Sequence, residues 1–163
     1  MFGHFYNESI RKLVVAFGSM FNNIRIQSVN SAGQTEEIRL PLSYGPKEKY
    51  MRRIEEQSSI SNSGKVLITL PRLGFNITNM TYDSTRKRNT LQKRRTTPSG
   101  ASGGIMSYAY SEVPYNFEFS LYGFVRNMND ALQISEQILP YFTPEFNVTM
   151  NFNDLNKSVD VPI

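Results

Sequence analysis

Cysteine and tryptophan are absent from the 163 residues, and histidine occurs once, as His4. Without cysteine, disulfides, thiolate nucleophiles and cysteine-ligated zinc are excluded. A single histidine excludes a multi-histidine metal site. His4 stands between Gly3 and Phe5, far in sequence from any acid cluster, so nothing orients it as a general base and a packing or contact role is the default. Long apolar runs are missing too, and nothing approaches the roughly 18 residues that a membrane-spanning helix needs. The opening Met1-Phe2-Gly3-His4-Phe5-Tyr6 lacks the basic stretch and apolar run of a secretory leader. The expectation is a protein that starts out soluble and meets no membrane. Triplets such as Asn76-Ile77-Thr78 and Asn147-Val148-Thr149 are then read as polar strand positions rather than glycan acceptors.

Recognisable catalytic patterns are also lacking. There is no phosphate-binding loop, dinucleotide glycine fingerprint or nucleophile elbow. The adjacent pairs Glu36-Glu37 and Glu55-Glu56 point to opposite strand faces or diverge on a helix, so neither is a ready two-carboxylate site. Gly100, Gly103 and Gly104 follow no strand and open no helix. The chain is expected not to be an enzyme, and to carry no cofactor and no metal.

What the sequence does have is ordinary globular material, with 39% hydrophobic and 20% charged residues and 12% aromatics, all Phe and Tyr. The formal charge of +4 is unevenly placed. Six of the 18 basic residues fall in residues 86–95, which hold no acid; the remainder has 12 basic against 14 acidic residues.

Along the chain, Ile10, Leu13, Val14, Phe17, Met20 and Phe21 predict a helix over residues 7–21, capped by Asn7 or Ser9. Ile24 and Ile26 lead through a turn at 30–34 to a return strand with Ile38, Leu40, Leu42 and Tyr44 on one face; Pro41 makes that strand an edge. Pro46 opens a short helix to about Glu56, with Tyr50, Met51 and Ile54 inward. Ser58 to Gly64 is polar and turn-rich, Val66, Ile68 and Leu70 form a strand face, and Phe75 with Ile77 begins another after Pro71. Residues 84–104 show no apolar periodicity and read as a basic, Gly/Ser-rich mobile loop. Tyr115, Phe117, Phe119 and Leu121 alternate with polar residues, the strongest strand signal in the chain. Asn127 caps a second long helix with Ala131, Leu132, Ser135, Ile138 and Leu139 along one side, ended by Pro140 and Pro144. Phe146, Val148, Met150 and Phe152 alternate again. The run starting at Val159 stops at Ile163, which predicts that the natural chain continues. The sum is a single α+β domain over 1–163: a mostly antiparallel sheet flanked by two long helices and one short helix.

The basic stretch is the one feature with chemical force. Arg86, Lys87, Arg88, Lys93, Arg94 and Arg95 make a local field suited to an acidic protein surface or to phosphates. The decapeptide itself interleaves no aromatics for base stacking and has no frame for reading bases, so a DNA contact is expected to be sequence-blind. Docking on a protein partner is favoured over DNA backbone contact and over a merely solvated loop. Tyr122 and Phe124, opposite the apolar face of their strand, are the expected subunit contacts.

Several blocks resemble a known family. Met1-Phe2-Gly3-His4-Phe5-Tyr6-Asn7, residues 42–50 (Leu-Ser-Tyr-Gly-Pro-Lys-Glu-Lys-Tyr), Leu70-Pro71-Arg72 and, above all, residues 136–147 (Glu-Gln-Ile-Leu-Pro-Tyr-Phe-Thr-Pro-Glu-Phe-Asn) are similar to the tail sheath stabiliser and completion proteins, or tail terminators, of T-even-type contractile-tailed bacteriophages. The blocks keep the family's order as far as about Met150. The resemblance departs most over 84–104, so no family role passes to the basic stretch. It implies a terminator-like fold that assembles as a homo-hexameric ring on the last disc of tail tube and sheath. Such a ring stops polymerisation, holds the sheath extended and links the tail to neck and head-completion proteins, with DNA passing through its bore. It implies a virion location at the tail–neck junction after assembly in the host cytoplasm. The alternative from the residues alone is a sequence-independent nucleic-acid-binding module acting through 86–95.

Overall fold

A computed structural model describes residues 3–4, 6–29, 33–59, 68–96, 107–143, 145–151 and 158–163. Helix α1, Ser9–Met20, turns Leu13 and Phe17 inward, while Ile10 at its start is exposed. Its N-cap is Glu8, in left-handed conformation and making no side-chain cap bond, rather than Asn7 or Ser9. Arg11 Nη1 instead donates to Glu8 Oε1 at 3.3 Å.

Strands β1, Arg25–Val29, and β2, Thr35–Arg39, pair antiparallel from Arg25↔Arg39 to Val29↔Thr35, as the alternation predicts. The return strand does not run on to Tyr44, however. It breaks at Leu40-Pro41, and β3, Leu42–Tyr44, joins a different sheet, parallel to β4, Arg72–Tyr82. Proline supplies the reason, because position 41 has no N–H with which to continue a ladder. Its carbonyl still serves the next sheet, accepting from Leu73 N at 3.0 Å.

Helix α2, Lys47–Ser59, runs past Glu56 and is as long as its counterparts, so the expected contrast of two long helices and one short one does not hold. Tyr50 is its buried anchor, while Met51, expected inward, is exposed. Ile68 is buried, but residues 68–71 form no strand, and the Leu70–Pro71 peptide is cis. Strand β4 pairs antiparallel with β7, Tyr115–Phe124, over nearly their whole length, with a register shift between Ile77 and Asn79. Between them lie β5, Lys93–Thr96, and β6, Ser107–Tyr110, an antiparallel pair. Residues 93–96 are therefore strand rather than loop; residues 97–106 lie outside those described.

Helix α3, Met128–Ile138, continues into a 3-10 turn, Leu139–Tyr141. Asn127 holds the N-cap position but makes no side-chain cap bond. The helix buries Ile134, with Ala131 and Ile138 half-buried, whereas Leu132 and Leu139, expected on the inner side, are exposed. Strands β8, Asn147–Asn151, and β9, Ser158–Pro162, close the chain as an antiparallel pair.

Among the described residues the result is α+β, with four of the five strand pairings antiparallel. In place of the single expected sheet, the described residues form one three-stranded sheet, β3-β4-β7, and three two-stranded pairs. The core joins Phe17 and Phe21 to Ile24, Ile26, Leu40, Leu73, Phe75 and Ile134. The Phe17 ring stacks on Phe119 at 4.4 Å and lies 5.2 Å from Phe75, tying α1 to the sheet. Each such buried side chain is worth about 1.5–3 kcal/mol of apolar transfer.

Candidate interaction surface

The basic stretch stands at the end of the β4–β7 ribbon. From Arg72 to Ile77, β4 is buried or half-buried; from Thr78 to Tyr82 it is exposed. At the register shift, the Thr78 hydroxyl donates to Glu118 O at 3.2 Å. Tyr82 and Tyr115 close the exposed half edge to face, their ring centres 5.7 Å apart.

Beyond Tyr82, Asp83 organises the turn. Its Oδ1 accepts from the Thr85 hydroxyl at 2.6 Å and from Thr85 N at 2.9 Å, and its Oδ2 accepts from Arg86 Nε at 2.5 Å. The Thr85 hydroxyl first, then the Arg86 guanidinium and the Thr85 N–H, hold this carboxyl far below the ordinary range. Arg86 also donates to Asn116 Oδ1 on β7. Asn89 Oδ1 accepts from Leu91 N at 3.0 Å, and Gln92 O accepts from Ser111 N at 3.0 Å, handing the chain into β5.

The structure divides the six basic residues into kinds. Arg86 pairs with Asp83, and Arg88 Nη1 lies 3.2 Å from Glu112 Oε2. The decapeptide has no acid of its own, but the fold brings two to it and reduces its field. Lys87 is exposed in the turn. Lys93 and Arg95 face β6, where the register sets them opposite Tyr110 and Tyr108. Lys93 Nζ lies 5.2 Å from the centre of the Tyr110 ring, and Arg95 Cζ lies 5.6 Å from that of Tyr108. Arg94 occupies the register position between them, opposite Ala109. Aromatics are thus interleaved with the cations, supplied by the partner strand rather than by the decapeptide. The signal in the sequence is the matched two-residue spacing, Lys93-x-Arg95 and Tyr108-x-Tyr110, which becomes a surface only once the register is known. Both tyrosines remain more than half exposed, and no described carboxylate forms an ion pair with Lys93 or Arg95.

Tyr122 and Phe124 are used inside the chain. Both rings lie under α2, with centres 5.9 and 5.7 Å from that of Tyr50. The Tyr122 ring covers Gly74, and its hydroxyl donates to Gly45 O. Burial chiefly, with negative charge at Tyr50 and Glu48 adding to it, pushes the Tyr122 phenol up to about 12. The far face that made this pair an expected subunit contact is already covered by a helix.

Elsewhere, the described residues assemble no group of three or more metal-ligating acids or histidines. His4 is exposed at the start of the chain. A shallow cleft of about 400 Å³ between β1 and α3 is lined by Asn23, Arg25, Gln27, Glu37, Gln133 and Gln137. Its amides are occupied with β1: Gln133 and Gln137 bond both to the N–H and to the carbonyl of Gln27 and Arg25. Outside this cleft, the described residues leave the Lys93–Tyr110 and Arg95–Tyr108 pairs of β5 and β6 as the main cationic and aromatic surface.

Residues 4–163 match the T4-like virus Myoviridae tail sheath stabiliser family. The chain is also 36% identical, over 153 residues, to tail completion protein gp15 of Enterobacteria phage T4. That match covers 92% of this chain and 55% of the phage T4 protein, so the chain spans little more than half the length of its curated relative. The chain belongs to the tail sheath stabiliser family of T4-like viruses, a structural family of the phage tail.

Proposed function

We propose that this domain assembles as a hexameric ring on the last disc of a contractile tail. There it stops polymerisation of tube and sheath, holds the sheath extended and offers neck and head-completion proteins a platform, with DNA in its bore. The observation that carries this reading is the family match across residues 4–163, together with identity to a tail completion protein. No chemical step is required of it. The mechanism is surface complementarity, in which one patch of each copy meets a different patch of the next and the rotation closes after six. Weak pairwise contacts suffice, because a tube end presents six sites at once and makes the later contacts effectively intramolecular.

Sequence-independent DNA binding through residues 86–95 is the weaker reading. The pairing of Arg86 with Asp83 and of Arg88 with Glu112 leaves fewer free cations for phosphates. Negative-stain imaging of tails with and without the protein tests the ring: capped tails of uniform length carrying six copies are expected. Any other copy number, or uncapped tails of unchanged length, overturns it. Duplex binding that is strong in the free protein and falls steeply with salt is the result that would favour the DNA reading.

A further inference from the structure

A ring built from one kind of contact needs two different surfaces on each copy, and the described residues present two exposed surfaces of opposite charge. The first is the β5–β6 face, where Lys93 and Arg95 lie on Tyr110 and Tyr108, flanked by exposed Leu91 and Val113. It combines the residue types that dominate protein interfaces, tyrosine and arginine, with positive charge that no described carboxylate pairs.

The second is the outer side of α3. Met128, Leu132 and Leu139 recur on one face of the helix, and Tyr141 follows in the 3-10 turn. All four are between 50% and 73% exposed. Core packing does not explain them, because the helix meets the core through Ile134 on its other side. Glu136 lies exposed beside this stripe and Glu145 just beyond it, and residues 127–156 contain no lysine or arginine at all. One surface is therefore aromatic and cationic, the other mostly aliphatic, with Tyr141 at its end, and anionic. Neither is complementary to itself, since a two-fold pairing would set like charges together.

We infer that the β5–β6 ribbon of one copy docks on the outer face of α3 of the next. The tyrosines lie on the aliphatic stripe, and Lys93 and Arg95 meet Glu136 and Glu145. The inference rests on the ring reading above and names the two faces that meet in it. An apolar centre bordered by opposite charges gives orientation through the charges and most of the affinity through the apolar area.

The 163 residues hold no cysteine, which allows a direct test. The protein, with any cysteine outside these residues replaced by serine, would be prepared with Tyr110→Cys, with Leu132→Cys, and with both, bound to contractile tails and treated with a short bis-maleimide. Each site is exposed, and circular dichroism checks that the variants fold. The expected result is no cross-link in either single variant, dimers when the two are mixed, and a ladder ending at six in the double variant. Adding Lys93→Glu and Arg95→Glu should lower the mixed cross-link by about tenfold or more, and Glu136→Lys should restore part of it. Cross-linking within a single variant would mean like faces meet and overturns the inference. So do six tail-bound copies that give no mixed cross-link, although the ring itself then stands. A ribbon-charge variant that cross-links normally but loses duplex binding overturns it in favour of DNA. No tail-bound copies at all removes the ring reading, and the inference with it.

Discussion

Gln137 lies along Arg25 as a neighbouring strand would, its amide nitrogen donating to Arg25 O at 2.6 Å and its side-chain oxygen accepting from Arg25 N at 3.3 Å. One helical turn earlier, Gln133 does the same for Gln27, accepting at 2.9 Å and donating at 3.2 Å. Residues four apart on a helix share a face, and alternate residues of a strand present their backbone groups to the same edge, so two glutamines cover a strand edge that no other described strand pairs. Replacing both with alanine should destabilise the domain by about 1–3 kcal/mol, since the four bonds are partly exposed and each contributes about 0.5–1.5 kcal/mol at most. Chemical denaturation measures this. The uncovered edge should also raise concentration-dependent self-association, visible by light scattering.

The Gly74→Ala substitution should cost about 1–3 kcal/mol, because a Cβ there meets the Tyr122 ring while α2 covers that ring from outside. In a Tyr122→Ser background the same change should cost far less, a non-additivity that a double-mutant cycle detects. Equal costs in both backgrounds would mean that the ring is not what excludes the methyl group.

Stability at alkaline pH should carry a signature of Tyr122. Its folded value of about 12 lies above the ordinary 10, so the neutral phenol contributes fully below about pH 10. Between pH 10 and 12 the unfolded chain ionises first, and that contribution is lost as pH rises. The Tyr122→Phe variant should be less stable than the parent at neutral pH by about 1 kcal/mol, for the lost bond to Gly45 O, and the gap should narrow from pH 10 upward. Parallel denaturation curves from pH 7 to 11.5 give the difference directly.

Changing Arg86, Lys87, Arg88, Lys93, Arg94 and Arg95 together to serine should leave the midpoint of core unfolding within about 0.5 kcal/mol, because no described basic side chain among them enters the core. Limited proteolysis should nevertheless cut more readily between 83 and 112, where the Asp83 turn and the ring contacts have been removed. Attachment to tails should weaken, most at low salt, where exposed charges reach further. Unchanged attachment would leave the ribbon as solvated surface.

The elements legible in the sequence were those with one clear periodicity: α1, the β1–β2 hairpin and the alternation that became β7. Helix α3 is legible too, but the side that faces the core is not, for a physical reason. It carries two apolar arcs, Ala131, Ile134 and Ile138 on one and Met128, Leu132 and Leu139 on the other, and periodicity does not say which of two arcs the core takes. Strand β5 is not legible, because Lys-Arg-Arg-Thr carries no apolar alternation; it is held by backbone pairing and by rings on another strand. Pro41 marks a limit to pairing in the sequence, but its diversion of the chain into a second sheet depends on β4, about thirty residues away. The candidate surface was legible as charge alone. Its tyrosines, and the acids that neutralise Arg86 and Arg88, come from outside the decapeptide.

The exposed outer half of the β4–β7 ribbon sets a whole segment apart from the residues that hold the fold. Leu73 and Phe75 are in the core, whereas everything from Thr78 outward to Glu112, among the described residues, leaves it untouched. Mutations in this stretch therefore escape the stability threshold that constrains α1 or β1. A segment whose charge, length and aromatic content can change at little cost to folding is thus carried on a scaffold whose own packing resists change.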